Sequence, residues 1–153
     1  MKIELSEISC AILDWLWIEE GFKSKAYSLG DGAWTIGIGT YNKYNRAEKV
    51  GQTITSKDTI TITEAMQEVF AWCNNNKIDE RIKSHIKNIP QIVALTSYAY
   101  NRGVGNLTKL LDKDLYVPQS WVDGLNEKSQ YSFAIYQRRL RESELYITGA
   151  CRR

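Results

Sequence analysis

Apolar residues at Ile8, Ile12, Trp15, Leu16 and Ile18 recur at helical spacing and fall broadly on one face. They predict a helix from about residue 6 to residue 20, with Ser6 as its cap, Glu20 in its last turn and Gly21 as its stop. The period then shortens to alternation. A strand is expected near Lys25 to Ser28, a turn at Gly30-Asp31-Gly32, and a second strand from Ala33 to about Thr40; Asp-Gly between two apolar runs is a strong hairpin signal. Gly37 and Gly39 strip one face of that second strand of side chains, so that another chain or a ligand can approach its backbone. Tyr41 to Lys49 reads as a polar loop and Val50 to Thr55 as a third strand. So small a sheet has too little core of its own and must lean on helices.

The rest of the chain is helical in period. Thr61 and Glu64 form a capping box for a helix through Ala65, Val69 and Trp72 that frays at Asn74-Asn75-Asn76. Ile78, Ile82, Ile86 and Ile89 mark the buried stripe of a second helix. Pro90 opens a third, through Ile92, Leu95, Tyr98 and Tyr100 to the stop at Gly103. Short helices come next at Leu107 to Leu111 and Ser120 to Leu125, around a turn at Pro118. A long one from Ser132 to Ile147 is expected to bury Phe133, Tyr136, Leu140 and Ile147. The expected class is α+β: an N-terminal helix and a small antiparallel sheet packed on a helical lobe, with a cleft between. All 153 residues read as one domain, with a sheet lobe over about 22–60 and a helical lobe over about 61–153 plus the helix 6–20.

Charge narrows the function classes. Twenty basic against eighteen acidic residues leave a net +2, without the polybasic footprint that nucleic acid demands; local clusters stand at Arg138 to Arg141 and at Arg152-Arg153. Cys10, Cys73 and Cys151 are odd in number and far apart, which fits free thiols in a reducing compartment. No zinc spacing occurs, and His85 stands alone, so neither a metal nor another cofactor is expected. Lys2 is followed by Glu4 and Glu7, and Asp14 interrupts the first apolar stretch, so neither a secretory signal nor stable membrane insertion is expected.

The chemistry concentrates at the end of the first helix. The helix ends on the carboxyl group of Glu20, beside Trp17 and Phe22 in the chain, a residue type suited to general-acid chemistry. Alone, Glu20 is an ordinary helix-end carboxylate. Its neighbours along the chain set it apart: Glu20-Gly21, then Ala26-Tyr27, then Gly32-Ala33-Trp34-Thr35-Ile36-Gly37-Ile38-Gly39.

This order resembles the signature of the phage lysozymes, the endolysins of glycoside hydrolase family 24. The resemblance continues in Tyr98-Ala99-Tyr100-Asn101-Arg102-Gly103-Val104-Gly105 and in Arg138-Arg139-Leu140-Arg141-Glu142-Ser143-Glu144-Leu145-Tyr146. It implies a muramidase that cleaves the β-1,4 bond between N-acetylmuramic acid and N-acetylglucosamine in peptidoglycan glycan strands. Such a protein would be a monomer, made in the host bacterial cytoplasm before release onto the wall, or carried in a phage particle. Glu20 is then the proton donor, Thr35 a holder of the attacking water, and Arg138 the partner of the acid. Tyr100 and Asn101 would belong to the saccharide wall, with Trp34 as a further candidate for the cleft. The family aspartate two residues after the tyrosine is Leu29 here, and the family histidine after Gly-x-Gly is Thr40. Inversion uses two carboxylates about 6.5–9.5 Å apart, and Asp31 is the nearest replacement, with service to its own turn as the alternative. Asn101 also reads as a helix-end residue and Arg138 as part of a solvated basic face. A lytic transglycosylase, and a silent glycan-binding or virion structural module, remain open beside the hydrolase.

Overall fold

The computed structural model describes residues 5–125 and 132–150; Cys151 and Arg152-Arg153 fall outside them. The chain groups into two compact units, one formed by residues 13–78 and the other by residues 1–12 and 79–153. The boundary expected near residue 60 therefore falls after Ile78, because the helix that begins at Ile62 packs on the sheet.

In the unit 13–78, the helix α1 (Leu5–Glu20) runs in from the other unit and ends at Glu20. Ser6 lies inside α1 rather than before it. Gly21 takes φ +73 and donates its N–H to the Trp17 carbonyl at 3.0 Å, and Phe22 stacks on Trp17 with ring centroids 5.3 Å apart. This is a left-handed glycine stop with its apolar clasp, and it fixes where the last helical residue points.

Strands β1 (Lys23–Tyr27), β2 (Thr35–Gly37) and β3 (Thr40–Tyr41) form an antiparallel sheet in that order. The partners Lys23↔Gly37 and Tyr27↔Thr35 set five residues of β1 against three of β2, so β1 bulges. Pairing closes at Tyr27 and Thr35, so residues 28–34 make a wide loop instead of a tight Asp-Gly turn. The expected long second strand is also cut short. Gly37 and Gly39 have φ +66 and +74, so they turn the chain from β2 into β3 rather than lining one face of a continuous strand. The third strand is accordingly Thr40–Tyr41, and of the stretch from Val50 to Thr55 only Thr53 makes a bridge, to Lys43.

Helix α2 (Ile62–Asn75) opens with the expected capping box between Thr61 and Glu64. Ala65, Glu68 and Val69 form its buried face, beside a core of Trp15, Leu16, Ile36, Ile38, Tyr44, Ile54 and Ile60. Glu68 is wholly buried. Its carboxylate accepts the N–H of Asn45 at 2.7 Å and of Arg46 at 3.1 Å, and pairs with the Arg46 guanidinium at 3.3 Å, which ties the loop after β3 to α2.

The other unit is built on α4 (Ile89–Arg102), whose residues 91 to 99 are all buried. The isoleucine stripe expected as one helix is divided. Ile78–Ile82 forms the short α3, Lys83–His85 a 3-10 turn, Ile86 is extended with ψ 145°, and Ile89 already belongs to α4. The break is enforced by Asn88, which accepts the Gln91 N–H at 3.0 Å while Gln91 Oε1 accepts the Lys87 N–H at 2.7 Å. Helices α5 (Val104–Leu111), α6 (Pro118–Val122) and α7 (Ser132–Thr148) complete the unit, with Trp121 at its centre against Tyr98 and Tyr146. On α7 the expected apolar face is only partly buried: Phe133 is 71% exposed and Tyr136 43%, Leu140 and Ile147 are half-buried, and the buried residues are Arg138, Arg139, Glu142 and Ser143 with Leu145 and Tyr146.

Candidate active site

Glu20 is half-buried at the end of α1, and the close approach around it comes from the turn between β2 and β3. A Cβ added at Gly39 would stand 2.7 Å from Glu20 Oε1, 3.0 Å from Cδ and 3.2 Å from Cγ. The carboxylate thus packs against bare backbone that only glycine leaves open. The other glycine of the pair does different work: a Cβ at Gly37 would meet Ala65 Cβ at 3.0 Å, so its missing side chain admits α2. The ligand approach expected at both glycines is in each case occupied by the protein itself.

Tyr27 joins Glu20 from β1. Burial, and secondly the Glu20 charge, push its phenol above the ordinary value of 10.0, so Tyr27 is a neutral O–H beside the carboxyl group. Its strand partner is Thr35, itself buried, and the next partner of Thr35 is Tyr41 on β3. The Tyr41 hydroxyl donates to Asp31 Oδ2 at 2.8 Å, while Asp31 Oδ1 accepts the Ala33 N–H at 3.2 Å. Both bonds hold the Asp31 carboxyl below the ordinary carboxylate value, Tyr41 contributing most. Glu20, Tyr27, Thr35, Tyr41 and Asp31 therefore form one succession across the sheet. Within it Asp31 serves its own loop with one oxygen and is held to β3 by the other. Leu29, in the same loop, is 59% exposed, and Trp34 is half-buried. Thr40 is 2% exposed, and its Oγ1 is buried without a hydrogen-bond partner.

In the other unit, Arg138 lies on the buried face of α7 rather than on a solvated basic one. Its Nε donates to Glu142 Oε2 at 3.2 Å and its Nη2 to Ser97 Oγ at 3.2 Å. Glu142 also accepts the Ser97 hydroxyl, Arg139 Nε at 2.5 Å and Arg139 Nη2 at 2.8 Å. Arg139 lies over the Tyr98 ring, 5.0 Å from its centroid, and donates from Nη1 to Asn101 Oδ1 at 2.8 Å. Asn101 is exposed at the end of α4 and Tyr100 beside it is half-buried, so Asn101 joins this network to the surface. His85 Nδ1 lies 3.1 Å from Ser84 Oγ, and its carbonyl accepts the Tyr146 hydroxyl.

Sequence reasoning missed Gly39 as a neighbour of Glu20, Tyr41 as the tether of Asp31, and Ser97 as a partner of Arg138. Alternate glycines were the one visible signal among these. Among the described residues no group of His, Cys, Asp and Glu could hold a metal ion, and no helix is long and apolar enough to cross a membrane.

Comparison with known proteins is consistent in fold. The chain is similar over its whole length to the endolysin from Escherichia coli O157:H7 phage FAHEc1, with 20% identity, 98% of that chain covered and a TM-score of 0.74. The muramidase domain of SpmX from Asticaccaulis excentricus aligns with 96% of this chain and 98% of its own at 20% identity and TM-score 0.62. A P22 lysozyme mutant aligns with 97% and 99% at 23% identity and TM-score 0.59. No curated protein matches. The family model described as phage lysozyme matches residues 18–133, which include Glu20, the β-turn glycines and Asn101, and the chain belongs to the phage lysozyme family.

Proposed function

We propose that Glu20 is the proton donor in hydrolysis of the β-1,4 bond between N-acetylmuramic acid and N-acetylglucosamine. As a phage lysozyme the chain is a peptidoglycan-degrading muramidase. The observation that carries the assignment is the placement of the Glu20 carboxylate at the end of α1, against Gly39 and beside Tyr27. A carboxylic acid there gives its proton to the leaving glycosidic oxygen as the bond breaks, and a water completes the displacement. Thr35 is the proposed holder of that water, since a hydroxyl both donates and accepts. Arg138, fixed by Glu142 and Ser97, is the proposed support of the acid, with Tyr100, Asn101 and Trp34 as saccharide contacts. The protein acts as a monomer on the wall after synthesis in the host cytoplasm, without a cofactor.

The test is Glu20→Gln in a turbidity assay on permeabilised cells, with mass spectrometry of the wild-type digest. Loss of activity by about 10²-fold or more in a folded variant, together with reducing ends in the wild-type products, supports the reading. Clearing by Glu20→Gln would remove the acid, and anhydro-sugar ends would remove the water.

A further inference from the structure

We infer that Gly39 is a positioning residue for the acid: its lack of a side chain sets where the Glu20 carboxylate lies. The inference rests on the reading of Glu20 as proton donor. Of the glycines with positive φ, Gly21, Gly30, Gly32, Gly51 and Gly103 have nothing within 4 Å of a built Cβ, so backbone conformation alone accounts for them. Gly39 differs because three successive atoms of one side chain, Glu20 Cγ, Cδ and Oε1, fill the place of its Cβ. Those atoms are the far end of a side chain that can swing aside. A methyl group at position 39 therefore costs the fold little beyond left-handed strain, which Gly32 at φ +85 would suffer equally. It costs the acid its place. A misplacement of about 1 Å at a reacting group is worth on the order of 10²-fold in rate, so stability and activity should part company at this residue.

The experiment compares Gly39→Ala with Gly32→Ala, and Gly39→Asn with Gly32→Asn, by melting temperature and by kcat and KM on soluble labelled peptidoglycan. Asparagine tolerates left-handed backbone, as Asn42 does here at φ 65, yet carries the same Cβ. The expected result is similar melting temperatures within each pair, with kcat lower by on the order of 10²-fold for the Gly39 variants alone and KM unchanged. Glu20→Asp, one methylene shorter, makes room for the added carbon, so Gly39→Ala should cost far less in that background than in the wild type. Equal kcat within each pair, an undiminished loss in the Glu20→Asp background, or failure of both Gly39 variants to fold where their Gly32 counterparts do would each overturn the inference. Glu20→Gln belongs in the same series: if it stays active the acid assignment itself falls, and if it is inactive while Gly39→Ala is not, only the role of Gly39 falls.

Discussion

The Tyr41 hydroxyl donates to Asp31 Oδ2 at 2.8 Å, fastening the tip of the loop after β1 to the strand β3. The bond favours the ionised carboxylate, so the Asp31 pKa in the folded protein lies below its ordinary 3.8. A depressed pKa contributes stability that is present above the ordinary value and is lost as pH falls through the folded one. In Tyr41→Phe the Asp31 midpoint, followed by carboxyl-carbon NMR, should rise toward 3.8. A midpoint unmoved by the substitution would show that the Ala33 N–H alone holds the charge.

The same tether ranks the groups that could serve the water. Both Asp31 oxygens are engaged, one by the Ala33 N–H of its own loop and the other by the Tyr41 hydroxyl of β3, whereas Thr35 sits between Tyr27 and Tyr41 in the sheet. Thr35→Ala should therefore lower kcat more than Asp31→Asn. Leu29 is exposed, so Leu29→Asp should fold normally and keep or raise activity. Silencing by Asp31→Asn with Thr35→Ala spared would reverse the ranking.

On α7, stability should track the buried ions and not the aromatic rings. Glu142 is the acceptor for both Arg138 and Arg139, and Glu142→Ala leaves two guanidinium groups buried without their carboxylate, a loss of about 3–5 kcal/mol. Phe133→Ser, at a ring 71% exposed, should change stability by no more than about 0.5 kcal/mol. Urea unfolding of the two variants checks both values, and a larger cost for Phe133→Ser would restore the apolar face that the sequence suggests.

Local signals were legible in the sequence where a backbone group and its partner lie close in the chain: the stop at Gly21, the Thr61 and Glu64 box, Pro90 and Gly103 all appear in the fold. The Asn88 and Gln91 cap has the same spacing, but the isoleucines at helical period across it masked the break. Gly37 and Gly39 were visible as a pair, though alternation cannot distinguish a bare strand face from two left-handed turn residues. The polar side of α7 was hidden because hydrophobic periodicity counts Arg138, Arg139 and Glu142 as surface, and their mutual pairing is what makes burial tolerable. In the candidate site, Glu20 and Thr35 stand out in the sequence only as parts of a motif. Tyr41, ten residues from Asp31, had no such signal.

The wholly buried Glu68 carboxylate gives the loop after β3 an amide-exchange clock. The Asn45 and Arg46 amides lie outside the strands, where exchange with solvent deuterium is ordinarily fast, yet each ends on a carboxylate oxygen carried by α2. Their protons can leave only when the loop lifts from that helix, so the two should exchange together and at a rate set by α2. Glu68→Gln removes the charge and part of the acceptor capacity, and both amides should then exchange sooner while those of α4 keep their pace. Two neighbouring protons in an irregular segment would thus time the local opening of the unit that carries Glu20.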